Sequence, residues 1–94
     1  MNTEENILTA LKEEVSMILS EKKEHLNKYD INALSFIINY LDELRNEYQA
    51  NKFKSKTKRF GHLARIIIDR DTSLINSNLG KRLIEAEQKY IHHS

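Results

Sequence analysis

The side chains best able to do chemistry in this 94-residue chain are four histidines, two carboxylate pairs and a run of cations. His25 and His62 are isolated, and His92 and His93 are adjacent near the carboxyl end. A helical zinc site needs histidines four residues apart or an HExxH motif, and neither pattern occurs. We therefore expect surface histidines, with no metal and no other cofactor.

Two pairs of adjacent carboxylates are the candidates for acid–base catalysis. They are Glu13 with Glu14 and Asp42 with Glu43. Consecutive helical positions point about 100° apart, so neither pair converges on one substrate. Neither of the two glycines has the spacing of a phosphate-binding loop, and no cysteine is present to act as a nucleophile. The sequence therefore predicts no catalytic residues and indicates a protein that is not an enzyme.

The clearest binding feature is a basic segment, residues 52–59, in which cations alternate with uncharged residues. Its candidate binding residues are Lys52, Phe53, Lys54, Lys56, Lys58 and Arg59. Such a segment can contact phosphate groups or the acidic surface of another protein. Because its cations lie outside the predicted apolar stripes, we expect the protein to fold without them. Both kinds of partner remain open.

Charge is divided unevenly along the chain. Residues 1–50 carry ten acidic and five basic side chains, whereas residues 51–94 carry ten basic and four acidic. This asymmetry indicates an acidic partner for the basic half, or ion pairing between the two halves. In the second case, surface ion pairs line the seams between acidic and basic helices, and each contributes at most about 1 kcal/mol.

Length and composition predict one helical domain spanning residues 1–94. The chain has no proline, and it lacks the Asn-Gly and Asp-Gly pairs that commonly join β-hairpins. We therefore expect an all-α fold, a compact antiparallel bundle of three or four helices. The first residues lack the features of a signal peptide, and no apolar stretch approaches the roughly 20 residues that span a bilayer. This predicts a cytoplasmic protein without membrane insertion.

Apolar residues spaced by three and four predict two long helices in the acidic half. The first should run from Thr3, its N-cap, to about Leu26. The second should follow Asp30 as N-cap and end near Ala50. Their apolar stripes are Leu8, Leu11, Val15 and Ile18 in the first helix, and Leu34, Ile37, Ile38, Leu41, Leu44 and Tyr48 in the second.

The second helix also carries Phe36 and Tyr40 on another face, so its apolar arc is unusually wide. One interpretation makes this the central helix of the bundle, packed on two sides. The other makes Phe36 and Tyr40 an exposed docking patch, and we retain both residues as candidate binding residues.

Two shorter helices are predicted in the basic half. The third should cover about residues 58–68, with Phe60, Leu63, Ala64 and Ile67 facing inward. The fourth should begin near Thr72 or near Ser77, with its apolar face formed by Ile75, Leu79, Leu83, Ala86 and Tyr90. This pair has the layout of a helix-turn-helix whose second helix presents Ser73, Asn76, Ser77, Lys81 and Arg82 to a major groove.

These patterns lead to two hypotheses about function. The first is a non-enzymatic protein-binding module of the regulator, inhibitor or immunity-protein kind, acting through helical faces and the basic segment on an acidic partner. The alternative is a nucleic-acid-binding regulator that uses the basic segment and the helix pair at residues 60–90. The sequence gives no indication of the oligomeric state.

Overall fold

A computed structural model of the chain describes residues 3–59, 61–69 and 75–93. Within these ranges it contains four α-helices: α1, Thr3–Lys22; α2, Lys28–Ala50; α3, His62–Asp69; and α4, Ser77–Ile91. Two short 3₁₀ turns lie at Lys23–His25 and Lys56–Lys58. The prediction of an all-α bundle is confirmed. No helix in the described part of the chain combines the length and apolarity that a membrane span requires.

One apolar core joins the four helices, and it contains the stripes that the sequence predicts for α1 and α2. Its most buried members are Leu8, Leu11, Val15, Leu34, Ile37, Leu41, Leu44, Leu63, Leu79, Leu83 and Tyr90. Ile18 and Ile38 are partly buried at its edge. α1 and α2 pack along most of their length, and α4 lies against both α1 and α3.

α2 begins earlier than predicted, because Asn27 rather than Asp30 is its N-cap. The Asn27 side chain accepts a hydrogen bond from the Asp30 backbone N–H at 2.8 Å. Asp30 therefore lies in the first turn, where its carboxylate complements the positive end of the helix dipole. α1 ends at Lys22, and the 3₁₀ turn that follows occupies the residues predicted to extend it.

α3 is shorter than predicted and begins at His62. Residues 56–58 form a separate 3₁₀ turn, because Arg59 is held by the far end of α4, as described below. Of the residues expected to face inward, Leu63 is buried and Ala64 is half-buried, while Phe60 lies outside the described residues. The helix begins where a buried carboxylate caps its first turn.

The start of α4 is Ser77, one of the two positions that the sequence left open. Its N-cap is Asn76, whose side chain accepts a hydrogen bond from the Leu79 N–H at 2.8 Å. Gly80, in the first turn of α4, allows this helix to approach α3 closely. A Cβ atom at Gly80 would lie 3.3 Å from Cγ2 of Ile67, which is tighter than ordinary packing.

Candidate functional site

The basic segment leaves α2 through a well-defined backbone turn. Asn51 adopts the left-handed conformation with φ of 53°, and its N–H bonds to the carbonyl oxygens that end the helix. The Lys52 N–H donates to the Glu47 carbonyl at 3.1 Å, and the Lys54 N–H donates to the Glu47 carboxylate at 3.1 Å. Glu47 therefore fixes the first part of the segment against the end of α2.

Arg59 anchors the other end of the segment to the carboxyl end of α4. Its guanidinium donates to the carbonyl oxygens of Tyr90 at 3.0 Å and His93 at 2.7 Å, and its Nε donates to the Lys54 carbonyl at 2.9 Å. The Tyr90 carbonyl lies in the last turn of α4, at the negative end of the helix dipole. From the sequence we expected the protein to fold without any of the segment's cations. Arg59 closes a helix end, so we now expect its removal to lower the stability of the fold.

An aromatic cluster lies beneath this anchor. The Arg59 guanidinium is 5.5 Å from the ring centroid of Phe53 and 5.4 Å from that of Tyr90. Phe53 also meets Tyr48 edge-on at 5.1 Å and His93 at 4.3 Å. Phe53 is half-buried in this cluster, so its aromatic ring supports the segment from below.

The lysines of the basic segment are its exposed part. Lys52, Lys54 and Lys58 are exposed, and within the described residues they form no ion pair. The side chain of Lys56 is outside the described part of the chain. The segment therefore presents at least three exposed ammonium groups on a backbone held at both ends.

Phe36 and Tyr40 have different environments. Phe36 is 44% exposed, whereas Tyr40 is only 8% exposed. Their rings stack at 5.9 Å with an interplanar angle of 13°. His62 meets Phe36 edge-on at 6.3 Å and Tyr40 at 5.3 Å. Of the two residues of the proposed patch, Tyr40 is therefore buried and packs against Phe36, whereas Phe36 is accessible to solvent.

A buried carboxylate holds this arrangement together. Glu87 of α4 is 0% exposed and accepts a hydrogen bond of 2.6 Å from the Tyr40 hydroxyl. Both of its carboxylate oxygens lie 3.1 Å from the Leu63 backbone N–H in the first turn of α3. Burial, and then the bond to Glu87, raise the pKa of Tyr40, so this hydroxyl remains a donor at neutral pH. Glu87 therefore joins α2, α3 and α4 at one point.

An open groove of about 290 Å³ lies beside Phe36, between α2 and α3. It is lined by Asn32, Ala33, Phe36, His62, Arg65 and Ile66. Arg65 is exposed and is the charged residue of this lining. Chemically, the groove offers an aromatic face beside a guanidinium, a combination that is common at protein interfaces.

Ion pairs link α1 to the other long helices. Arg82 of α4 holds Glu14 of α1 by two bonds of 2.7 Å, and Lys12 pairs with Asp42 of α2 at 2.9 Å. The bonds from Arg82 lower the pKa of Glu14 and raise the pKa of Arg82. The Glu14–Arg82 pair joins an acidic helix to a basic one, as the charge division led us to expect. The Lys12–Asp42 pair instead joins two helices of the acidic half, with its cation on α1.

The helix pair that could enter a major groove has few uncommitted polar side chains in the described region. Asn76 caps its own helix, and Arg82 is bound to Glu14 and to Asn78. Ser77 and Lys81 are exposed, while Ser73 lies outside the described residues. Within the described residues, no cluster of three or more potential metal ligands occurs.

Sequence reasoning missed Glu87, and it did not associate His62 or Arg65 with Phe36. A signal for Glu87 did exist, because it follows Leu83 by four positions and precedes Tyr90 by three, on the apolar face of α4. No comparable signal marks His62 or Arg65, since their proximity to Phe36 depends on how α3 packs. No known protein family matches the chain, and neither a curated protein nor a solved structure is significantly similar to it.

Proposed function

We propose that this protein is a non-enzymatic binding module that docks an acidic segment of another protein on the Phe36 groove and the adjoining basic segment. The observation that carries this proposal is the environment of Phe36. Phe36 is 44% exposed, yet its ring contacts the rings of both Tyr40 and His62, so its position is defined before a partner arrives. A fixed aromatic side chain loses little conformational entropy on binding, and such residues often dominate binding energy.

The charges near the groove favour an acidic partner. Arg65 lies in the groove itself, and two residues lie between Arg59 and His62, where α3 begins. Arg59 and His62 are therefore at most about 11 Å apart, so Lys58, next to Arg59, and the groove belong to neighbouring surfaces. Cations arranged in this way speed the association of an acidic protein and orient it.

Two features make nucleic acid the weaker candidate. Arg59, the arginine of the basic segment, is used by the carboxyl end of α4, and Arg82 is used by Glu14. Among the described side chains of the segment, Lys52, Lys54 and Lys58 would together contribute a log–log salt slope of only about −3, which corresponds to weak binding at physiological salt. The few free polar groups on α4 also offer little for reading bases.

The proposal is tested by capture from the native host followed by measurement of affinity. The bait is the full chain, with variants Phe36→Ser and Arg65→Glu. Met17→Ser is the matched control, because Met17 is also a large exposed apolar residue but lies on α1. Thermal unfolding of every variant establishes that the fold is retained before binding is compared.

We expect an acidic protein to bind the wild type and the Met17 control equally. Phe36→Ser should weaken this complex by about thirtyfold or more, the effect of losing an aromatic hot spot. Arg65→Glu should mainly slow association and reduce its dependence on salt. Equal binding by all four chains contradicts the proposal. Submicromolar binding to random duplex at about 150 mM salt would instead favour the nucleic-acid alternative.

A further inference from the structure

Among the residues that the structure describes, Tyr48 differs from the other buried tyrosines in having no partner for its hydroxyl. Tyr40 donates to Glu87, and Tyr90 donates to Glu47 at 2.9 Å. Tyr48 is 6% exposed, and its buried hydroxyl finds no hydrogen-bond partner among the described residues. Burial, followed by the charge of Glu4, raises the pKa of Tyr48, so the hydroxyl keeps its proton. It is a buried donor without an acceptor, which folded proteins rarely leave unsatisfied.

Tyr48 lines a small cavity that adjoins a groove on the surface. A small cavity of about 10 Å³, close to the size of one water-sized group, is bounded by Glu4, Ile7, Leu8, Tyr48, Ala86 and Lys89. A groove of about 270 Å³ between α1 and α4 is lined by Ile7, Ala10, Leu11, Arg82, Glu85, Ala86 and Lys89. The two share Ile7, Ala86 and Lys89, so the groove and the small cavity beside Tyr48 adjoin each other.

The lining of this α1–α4 groove is suited to an uncharged ligand. Its floor is aliphatic, and the small side chains of Ala10 and Ala86 leave room above it. The charges around the two cavities are of both signs, Arg82 and Lys89 with Glu4 and Glu85. Arg82 is paired with Glu14, so it offers little extra attraction to an anion. A ligand held mainly by the aliphatic floor needs no charge of its own.

We propose that the α1–α4 groove binds a small, neutral, largely apolar molecule whose oxygen accepts a hydrogen bond from the Tyr48 hydroxyl. The apolar body fills the groove against Ile7 and Leu11, and the oxygen occupies the inner cavity. This is the usual composition of small-molecule sites, in which an apolar pocket holds a few polar groups that fix orientation. The site uses none of the residues assigned to protein docking, so either proposal can fail without the other.

Two probes of nearly equal shape separate the hydrogen bond from simple apolar binding. Acetophenone carries a carbonyl oxygen, and cumene replaces that oxygen with a methyl group. Each is titrated into the full chain while the methyl resonances of Ile7, Ala10, Leu11 and Ala86 are followed by NMR. The variant Tyr48→Phe removes only the hydroxyl, and Tyr29→Phe is the matched control, because Tyr29 is 76% exposed on α2.

We expect saturable shifts of the groove methyl groups with acetophenone. Tyr48→Phe should weaken acetophenone binding by about three- to tenfold while leaving cumene binding unchanged, because only the ketone uses the hydroxyl. Tyr29→Phe should bind both probes as the wild type does. A second variant, Ala10→Leu, should fill the groove from the exposed side and abolish binding of both probes without disturbing the core.

Three results would overturn the inference. One is an absence of saturable shifts at the groove methyl groups with acetophenone. Another is an equal change in affinity for both probes in Tyr48→Phe, which would show that the hydroxyl donates no hydrogen bond to the ketone. The third is binding that survives Ala10→Leu with its shifts elsewhere, for example beside Phe36.

Discussion

Removal of one hydroxyl from each buried tyrosine should rank the hydrogen bonds of this bundle. Tyr40→Phe leaves the carboxylate of Glu87, which is fully buried, without the donor 2.6 Å away. A buried hydrogen bond to a charged group contributes about 1.5 to 3 kcal/mol, and the carboxylate would then keep only the bond from the Leu63 backbone N–H among the described residues. We therefore expect Tyr40→Phe to lower the free energy of unfolding by about 2 to 3 kcal/mol.

The other two buried tyrosines provide the contrast. Tyr90→Phe removes a bond of 2.9 Å to the partly exposed Glu47, so the expected loss is about 1 kcal/mol. Tyr48→Phe removes a hydroxyl without a partner among the described residues, and should leave stability unchanged or raise it by up to about 1 kcal/mol. Tyr29→Phe is the exposed control and should change nothing measurable.

Urea unfolding followed by circular dichroism measures these differences. For a domain of this size, 1 kcal/mol corresponds to about 5 °C in Tm, so Tyr40→Phe should melt about 10 to 15 °C below the wild type. The refuting result is a loss in Tyr48→Phe equal to that in Tyr40→Phe. It would mean that ring packing, and not the partner of the hydroxyl, determines the effect.

Three further predictions concern the core, the anchor and a surface ion pair. Ile37→Ala or Leu41→Ala should cost about 2 to 5 kcal/mol in urea unfolding, because both side chains are completely buried. Arg59→Gln should lower the free energy of unfolding by about 2 kcal/mol. Changing the three exposed lysines of the basic segment to Gln should change it by no more than about 0.5 kcal/mol, and equal effects would contradict the role of Arg59 as an anchor. The lowered pKa of Glu14 predicts that the stability difference between wild type and Glu14→Gln is fully present above pH 4.5. The difference should disappear as the pH falls through that lowered pKa, and a difference that persists at lower pH would contradict the prediction.

The helices of the acidic half could be predicted well because their signals are local. Apolar spacing in residues 8–18 and 34–48 selects one face of each helix, and those faces are buried. The boundaries were less certain, since several residues near a helix start can act as N-cap. Asn27 and Asp30 are both good caps, and the additional turn of α2 favours Asn27.

The candidate site could be predicted only in part. The sequence marks a cationic segment, but it does not distinguish Arg59, which turns towards a helix end, from the lysines that face solvent. It also does not place Arg65 beside Phe36, because that contact depends on how α3 packs on α2. Long-range contacts of this kind leave no periodic trace in the chain.

The Glu87 junction also has a consequence for the order in which the chain folds. Tyr40 and Glu87 are 47 residues apart, whereas α1 and α2 are joined by a connection of only five residues. Closing the longer loop costs more chain entropy, so the α1–α2 hairpin can form before the carboxylate finds its donor. A bond formed after the transition state slows unfolding without speeding folding. We therefore expect the junction to act chiefly on the lifetime of the folded protein, and with it on the lifetime of the surface that α3 completes beside Phe36.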